Sequence, residues 1–155
     1  WASVYELDVL AFRFFNVFGP LQPPRHAYAA VVPAFISALT QGRPLPIHGD
    51  GRQTRDFTYV GSVCAVIADA LVRRVTSATA VNLAFGSRVS LLDMIAVLEA
   101  VVGRTLPVEH LPVRPGDVRD SQADTSRLSE LFPGATPVEL HEALSATVDW
   151  FRSQA

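Results

Sequence analysis

Lysine is missing from this chain. All 13 basic side chains are arginine, so any mechanism that needs a lysine must find it elsewhere. Cysteine occurs once, at Cys64, which excludes an internal disulfide and fits a reducing, cytoplasmic setting. Cys64 stands in a helical stretch beside apolar residues and reads as inert packing. Charge is sparse, with 18% charged residues and a net charge of -2, which gives no electrostatic reason to bind nucleic acid or an anionic membrane. No apolar run reaches the length of a membrane span, because Pro, Gly or Arg interrupts each one. The opening WASVYELDV lacks a basic segment followed by an apolar one, so it is not a signal peptide. His26, His48, His110 and His141 are scattered, with no Cys or carboxylate at metal-ligand spacing, so no metal site is expected. Neither a G-x-S-x-G nucleophile elbow nor a dinucleotide fingerprint occurs; Gly49-Asp50-Gly51 is followed by Thr54 and a strand.

What remains is 155 residues, 49% hydrophobic, enough for one domain with a substantial core. The run 9–17 (VLAFRFFNV) is apolar on both faces apart from Arg13 and Asn16, which suits a parallel strand buried between layers. A proline-rich loop follows at 21–25. Val32, Phe35, Ile36 and Leu39 fall on one helical face, with Gly42 where a C-terminal cap is wanted. Strands are expected at 45–48 and 56–60, around the Gly-Asp-Gly turn. Ser62 can cap a second helix with the stripe Val63, Val66, Ile67, Ala70 and Leu71. Residues 80–85 read as another buried strand. Ser90 and Asp93 have capping-box spacing before a helix striped by Leu91, Ile95, Leu98 and Val102, ended by Gly103. A strand at 106–113 precedes a last helix with Thr136 as N-cap, Pro137 in its first position and the stripe Leu140, Leu144, Val148 and Phe151. Strands alternating with helices argue α/β.

Arg55 follows the turn and precedes Phe57 and Tyr59, so packing can fix its guanidinium as a planar fork for phosphate oxygens. The plainer reading pairs it with Asp50 or Asp56 to staple the turn. Arg114-Pro-Gly-Asp117 poses the same choice: a turn presenting an arginine and a carboxylate to one ligand, or a surface turn with a local ion pair. Asn16 ends a buried strand, where open α/β sheets bind ligands; alternatively its amide satisfies loop backbone. Asn82 is either a core amide or a second pocket group.

Taken in order, RFFNVFGP (13–20), AYAAVVPAFI (27–36), PIHGDGRQTRDFTYV (46–60), VNLAFG (81–86) and RPGDVRDSQAD (114–124) span nearly the whole chain. Together they resemble the C-terminal half of the NAD-dependent epimerase/dehydratase family, the extended short-chain dehydrogenase/reductases. Within that family the chain is most similar to UDP-glucose and UDP-N-acetylglucosamine 4-epimerases. The resemblance implies the last strands of a Rossmann-type sheet plus a small α/β substrate-binding domain. It implies that Asn16 contacts the sugar nucleotide near its diphosphate, and that Phe14 and Phe15 lie along the nicotinamide of NAD. Ala30, Val31 and Phe35 would border the uracil, with Pro46, Ile47 and His48 passing it as a strand. Arg55 and Arg114 would grip the diphosphate, Asp117 would hold the ribose, and Ser121 would sit near the hexose. Gly61-Ser62 departs from the acidic residue usual there, a change that bears on helix capping.

The family's glycine-rich NAD loop, its Ser/Thr and its Tyr-x-x-x-Lys pair precede the RFFN-type strand and are not in this sequence. No catalytic residue is therefore assigned here. Residues 1–155 are expected to be the substrate-binding half of an NDP-sugar 4-epimerase, inactive alone, with NAD held mainly by the other half. The expected partners are a UDP-sugar and, for the full-length protein, a second copy, dimerised mainly through the NAD-binding half. The alternatives are a related dehydratase or UDP-glucuronate decarboxylase, and, in another class, a non-catalytic sugar-nucleotide-binding module.

Overall fold

The apolar run 9–17 does not make one strand. In the computed structural model, which describes residues 2–22 and 30–154, it divides into β1 (Phe12–Phe14) and β2 (Val17–Phe18). The break falls at Asn16, whose φ of 35° lies in the left-handed region that asparagine tolerates better than most residues. β1 pairs in parallel with β6 (Val81–Leu83), and β2 with β5 (Thr58–Tyr59). The expected burial on both faces fails as well: Phe14 is 57% exposed, because among the described residues β1 has a strand neighbour on one side only. Most of the proline-rich loop, His26, and the first three residues of the 27–36 motif lie outside the described residues.

Two further pairs complete the strands. β3 (Leu45–His48) runs parallel to β8 (Val108–Leu111), in the register Leu45↔Val108 to His48↔Leu111. β4 (Thr54–Arg55) runs antiparallel to β7 (Val89–Ser90), and a bridge joins Thr54 to Asp120.

The helices gather two apolar cores. In the larger, α2 (Val31–Thr40), α4 (Leu91–Val102) and α6 (Leu140–Ser153) pack with β3 around Phe35, Ile36, Leu45, Ile47, Met94, Leu98, Leu144 and Val148. Each such side chain removed from water contributes about 1.5–3 kcal/mol before conformational entropy is charged against it. The smaller core joins β6 to α3 (Val60–Arg73) and α5 (Ser126–Leu131) through Val63, Val66, Leu83, Leu128 and Phe132. A short α1 (Ala2–Tyr5) precedes β1.

Several helix starts differ from the sequence expectation. α4 begins as expected: Ser90 Oγ accepts from Asp93 N at 3.0 Å, the Asp93 carboxylate accepts from Ser90 N, and Gly103 closes the helix at φ 72°. Ser62, by contrast, is no cap. α3 starts three residues earlier, at Val60 after Tyr59, and Ser62 is buried within its first turn. Its Oγ instead accepts a 3.0 Å bond from the Val138 N–H, a partner supplied by tertiary packing. α6 begins at Leu140 behind Glu139 and not behind Thr136; the Val138 N–H that a helix capped at Thr136 would leave without an intrahelical partner is the one Ser62 satisfies. Leu71, placed on the α3 stripe, is 74% exposed, and Cys64 is exposed where inert packing was expected. Helix α5 falls where no apolar stripe signalled one; Leu128 is its only buried side chain.

Candidate functional site

A cavity of about 390 Å³ opens where Asn16 and β2, the start of α2, β3, β4 and the 114–117 turn converge. Its wall includes Asn16, Ala30, Val31, Pro46, His48, Arg55, Arg114 and Asp117, all named from the sequence. Four of the other candidates lie elsewhere. Phe35 and Ile47 are core residues, 1% and 0% exposed, because the alternation of β3 turns Ile47 inward while Pro46 and His48 face the cavity. Asn82 donates its amide to the Asp124 carbonyl at 3.0 Å, and the Ser121 N–H is bonded to the Thr54 carbonyl at 3.1 Å. Of the proposed cofactor contacts, Phe14 is exposed and Phe15 half-buried, both off this cavity.

Arg55 reaches the cavity from β4. Its Nη2 donates to Asp117 Oδ1 at 2.5 Å across 62 residues of chain, and its Nη1 donates to the Thr54 and Arg119 carbonyls at 2.8 and 3.2 Å. The arginine is thus fixed, though by neither Asp50 nor Asp56. Asp50 caps its own turn by accepting from the Arg52 N–H at 3.0 Å, and pairs with Arg119 at 3.2 Å. Gly51 sits at φ 76°, where a side chain would be strained, and packs so closely on Leu92 that a Cβ would lie 2.9 Å from its Cδ2. The turn therefore docks on α4 and sets the start of β4.

Arg114 lines the same cavity from the 114–117 turn. The Asp117 N–H bonds the Arg114 carbonyl at 3.1 Å and Gly116 sits at φ 81°, so the Pro-Gly pair makes the expected tight turn and returns Asp117 beneath Arg114. The Arg114 guanidinium takes part in no ion pair found among the described residues. Two guanidinium groups and one carboxylate on a shared wall make an anion-accepting cleft, and both forks suit the oxygens of a phosphate. His48 Nδ1 lies 2.9 Å from the Pro112 carbonyl, which requires its proton on that nitrogen. Sequence reasoning missed Gln53, a buried cavity residue whose Nε2 donates to the His48 carbonyl at 2.7 Å. It also missed Asp56 as anything but a partner for Arg55; a polar residue fully buried beside an arginine carries no local pattern that distinguishes the two roles.

The molecule is of a class in which parallel strand pairs, layered with helices, carry an arginine-lined cleft at their ends. The family can be given directly. Residues 1–84 match the model of the NAD dependent epimerase/dehydratase family, and the chain belongs to that family. A UDP-glucose 4-epimerase from Mycolicibacterium smegmatis is 34% identical over 100% of this chain and 49% of its own length. The structure of a UDP-N-acetylglucosamine 4-epimerase from Methanobrevibacter ruminantium M1, in complex with UDP-N-acetylmuramic acid, superposes with a TM-score of 0.89 and 37% identity. That match covers 99% of this chain and 49% of the other. A UDP-glucuronic acid 4-epimerase from Bacillus cereus, in complex with UDP-glucuronic acid and NAD, gives 0.86 at 29% identity over 99% and 48%. The fold is accordingly part of a Rossmann-type extended short-chain dehydrogenase/reductase, and the chain spans about half the length of these relatives.

Proposed function

We propose that this chain is the C-terminal, sugar-nucleotide-binding half of an NAD-dependent NDP-sugar 4-epimerase, and that the cavity holds the diphosphate between Arg55 and Arg114. The observation that carries the reading is the meeting of those two arginines, distant in sequence, on one wall with Asn16 and Asp117. A diphosphate brings about two negative charges, and two planar forks neutralise them with charge-assisted hydrogen bonds. Ala30, Val31 and Pro46 supply the apolar side of the same cavity, as a flat base requires. On this reading Asn16 and Asp117 orient the nucleotide while the hexose extends away from it.

Phe14 and Phe15 are the residues here that would border NAD. Phe14 stands exposed on β1, which leaves an apolar face of the strand accessible to a ring. When bound, NAD supplies the oxidation and re-reduction at C4 of the sugar. This chain's share is to bind and orient; proton transfer belongs to residues outside it, since no lysine is present to pair with a tyrosine. The full-length protein would be a cytoplasmic homodimer, a state that sedimentation can check. No described helix is long and apolar enough to cross a membrane.

The test is a titration of the chain with UDP followed by NMR, a method suited to weak binding. Shifts should centre on Asn16, Arg55 and Arg114, and Arg55→Met or Arg114→Met should each weaken binding by about tenfold or more. UDP shifts confined to other surfaces would refute the reading. Product analysis of the protein joined to its NAD-binding half, offered UDP-glucose, UDP-N-acetylglucosamine and UDP-glucuronate, separates epimerase from dehydratase or decarboxylase. Turnover by the 155-residue chain with NAD alone would overturn the division of labour.

A further inference from the structure

Asp56 is fully buried, at 0% exposure, and forms none of the ion pairs found among the described residues. Its carboxylate is filled by neutral donors. Oδ2 accepts from the Gly86 N–H at 3.0 Å and the Ala123 N–H at 3.2 Å. Oδ1 accepts from the Ser87 N–H at 3.1 Å and the Ser87 hydroxyl at 3.0 Å. Ser87 Oγ in turn accepts from the Phe57 N–H at 3.0 Å, which closes the cluster back on the strand that carries Asp56. The Asp56 main-chain carbonyl accepts from Asn16 Nδ2 at 3.1 Å.

We infer that Asp56 is the positioning residue of the anion site. It joins the three chain segments that supply the cavity's polar groups. The peptide that follows Arg55 is fixed by the carboxylate, the Asn16 amide by the carbonyl, and the segment descending from Arg114 and Asp117 by the bond from Ala123. Only an acceptor-only side chain fits, because a carboxylate offers about four lone-pair directions and here all face donors. An amide in its place would aim an NH2 group at backbone N–H groups, leaving buried donors without partners. The consequence for ligand binding rests on the sugar-nucleotide reading of the cavity; the positional role itself does not.

The experiment compares 15N-labelled wild-type chain with Asp56→Asn and the milder Ser87→Ala. In Asp56→Asn the Gly86, Ser87 and Ala123 amides should exchange at least about tenfold faster, while the α4 amides of Ile95 and Leu98 change less than about twofold. The Asn16 side-chain amide and Arg55 guanidinium signals should move toward solvent-exposed positions in Asp56→Asn and by a smaller step in Ser87→Ala. If those two signals stay in place while the three backbone amides loosen, Asp56 is a structural staple only and the inference falls. Uniform loss of protection in both variants, α4 included, also overturns it. UDP titration forms a separate arm: failure of the wild type to bind UDP sinks the sugar-nucleotide reading and leaves the Asn16 and Arg55 signals to decide the role of Asp56.

Discussion

Replacing Asp117 by Asn should tighten the binding of inorganic pyrophosphate, although Asp117 lies in the proposed binding wall. Its carboxylate occupies Arg55, with side-chain exposures of 15% for the arginine and 33% for the aspartate. An entering pyrophosphate must displace that carboxylate and then sit beside it as a like charge. Two unit charges about 4 Å apart interact by about 4 kcal/mol at an effective dielectric near 20. Solvent access and the desolvation of both partners reduce the net value of such a partly exposed pair to about 1 kcal/mol. Removing it should therefore lower the pyrophosphate Kd about fivefold, since about 1.4 kcal/mol is tenfold. UDP should gain less than pyrophosphate, or lose affinity, because on the present reading Asp117 also accepts hydrogen bonds from the ribose. The assay is a paired titration of wild type and Asp117→Asn with pyrophosphate and UDP at low salt, repeated near 1 M salt, where screening within about 3 Å should shrink the difference. Pyrophosphate affinity that is unchanged or weaker in Asp117→Asn would refute the reasoning, as would a wild-type chain with no response to pyrophosphate at low salt.

Three other outcomes are expected. Ser90→Ala removes the capping box of α4 and should cost about 1 kcal/mol, read as a fall in Tm of about 2–4 °C. Leu98→Ala, at a position 1% exposed in the larger core, should cost about 2–5 kcal/mol in denaturant unfolding. The Thr54 hydroxyl, and then Arg88, hold the Asp120 carboxyl below its ordinary value of 3.8; the Arg52 N–H, and then Arg119, do the same for Asp50. A carboxyl lowered by folding stabilises the folded state above its ordinary value, and that support is lost as pH falls through the folded value. The denaturation midpoint should thus be insensitive to these groups near neutrality and drop below about pH 3.8, with a shallower drop in Asp120→Asn.

The features that local chemistry controls were legible in advance. β3 occupies residues 45–48 as expected, because alternation beside a helix-ending glycine leaves little choice of boundary. The Ser90–Asp93 box and Gly103 set both ends of α4, since each partner lies within one turn of the other. The α2 and α6 stripes held for the same reason: a 3.6-residue period assigns a face without reference to what covers it. Where the competing partner was distant, the sequence misled. Ser62 and Thr136 both look like caps, yet Ser62 is committed to the distant Val138 N–H and α6 starts behind Glu139.

By itself the sequence determined the helical faces, the turns that glycine and proline enforce, and the ordered motifs that identify the family. Tertiary structure alone decided which carboxylate holds Arg55, that Arg114 shares its cavity, and that Asp56 is a buried junction and not a surface partner. The physical reason is range. Capping and periodicity act within a turn or two, so the residues involved are neighbours in the text. A buried carboxylate takes whichever donors the packed chain brings to it, and for Asp56 those come from Gly86, Ser87 and Ala123.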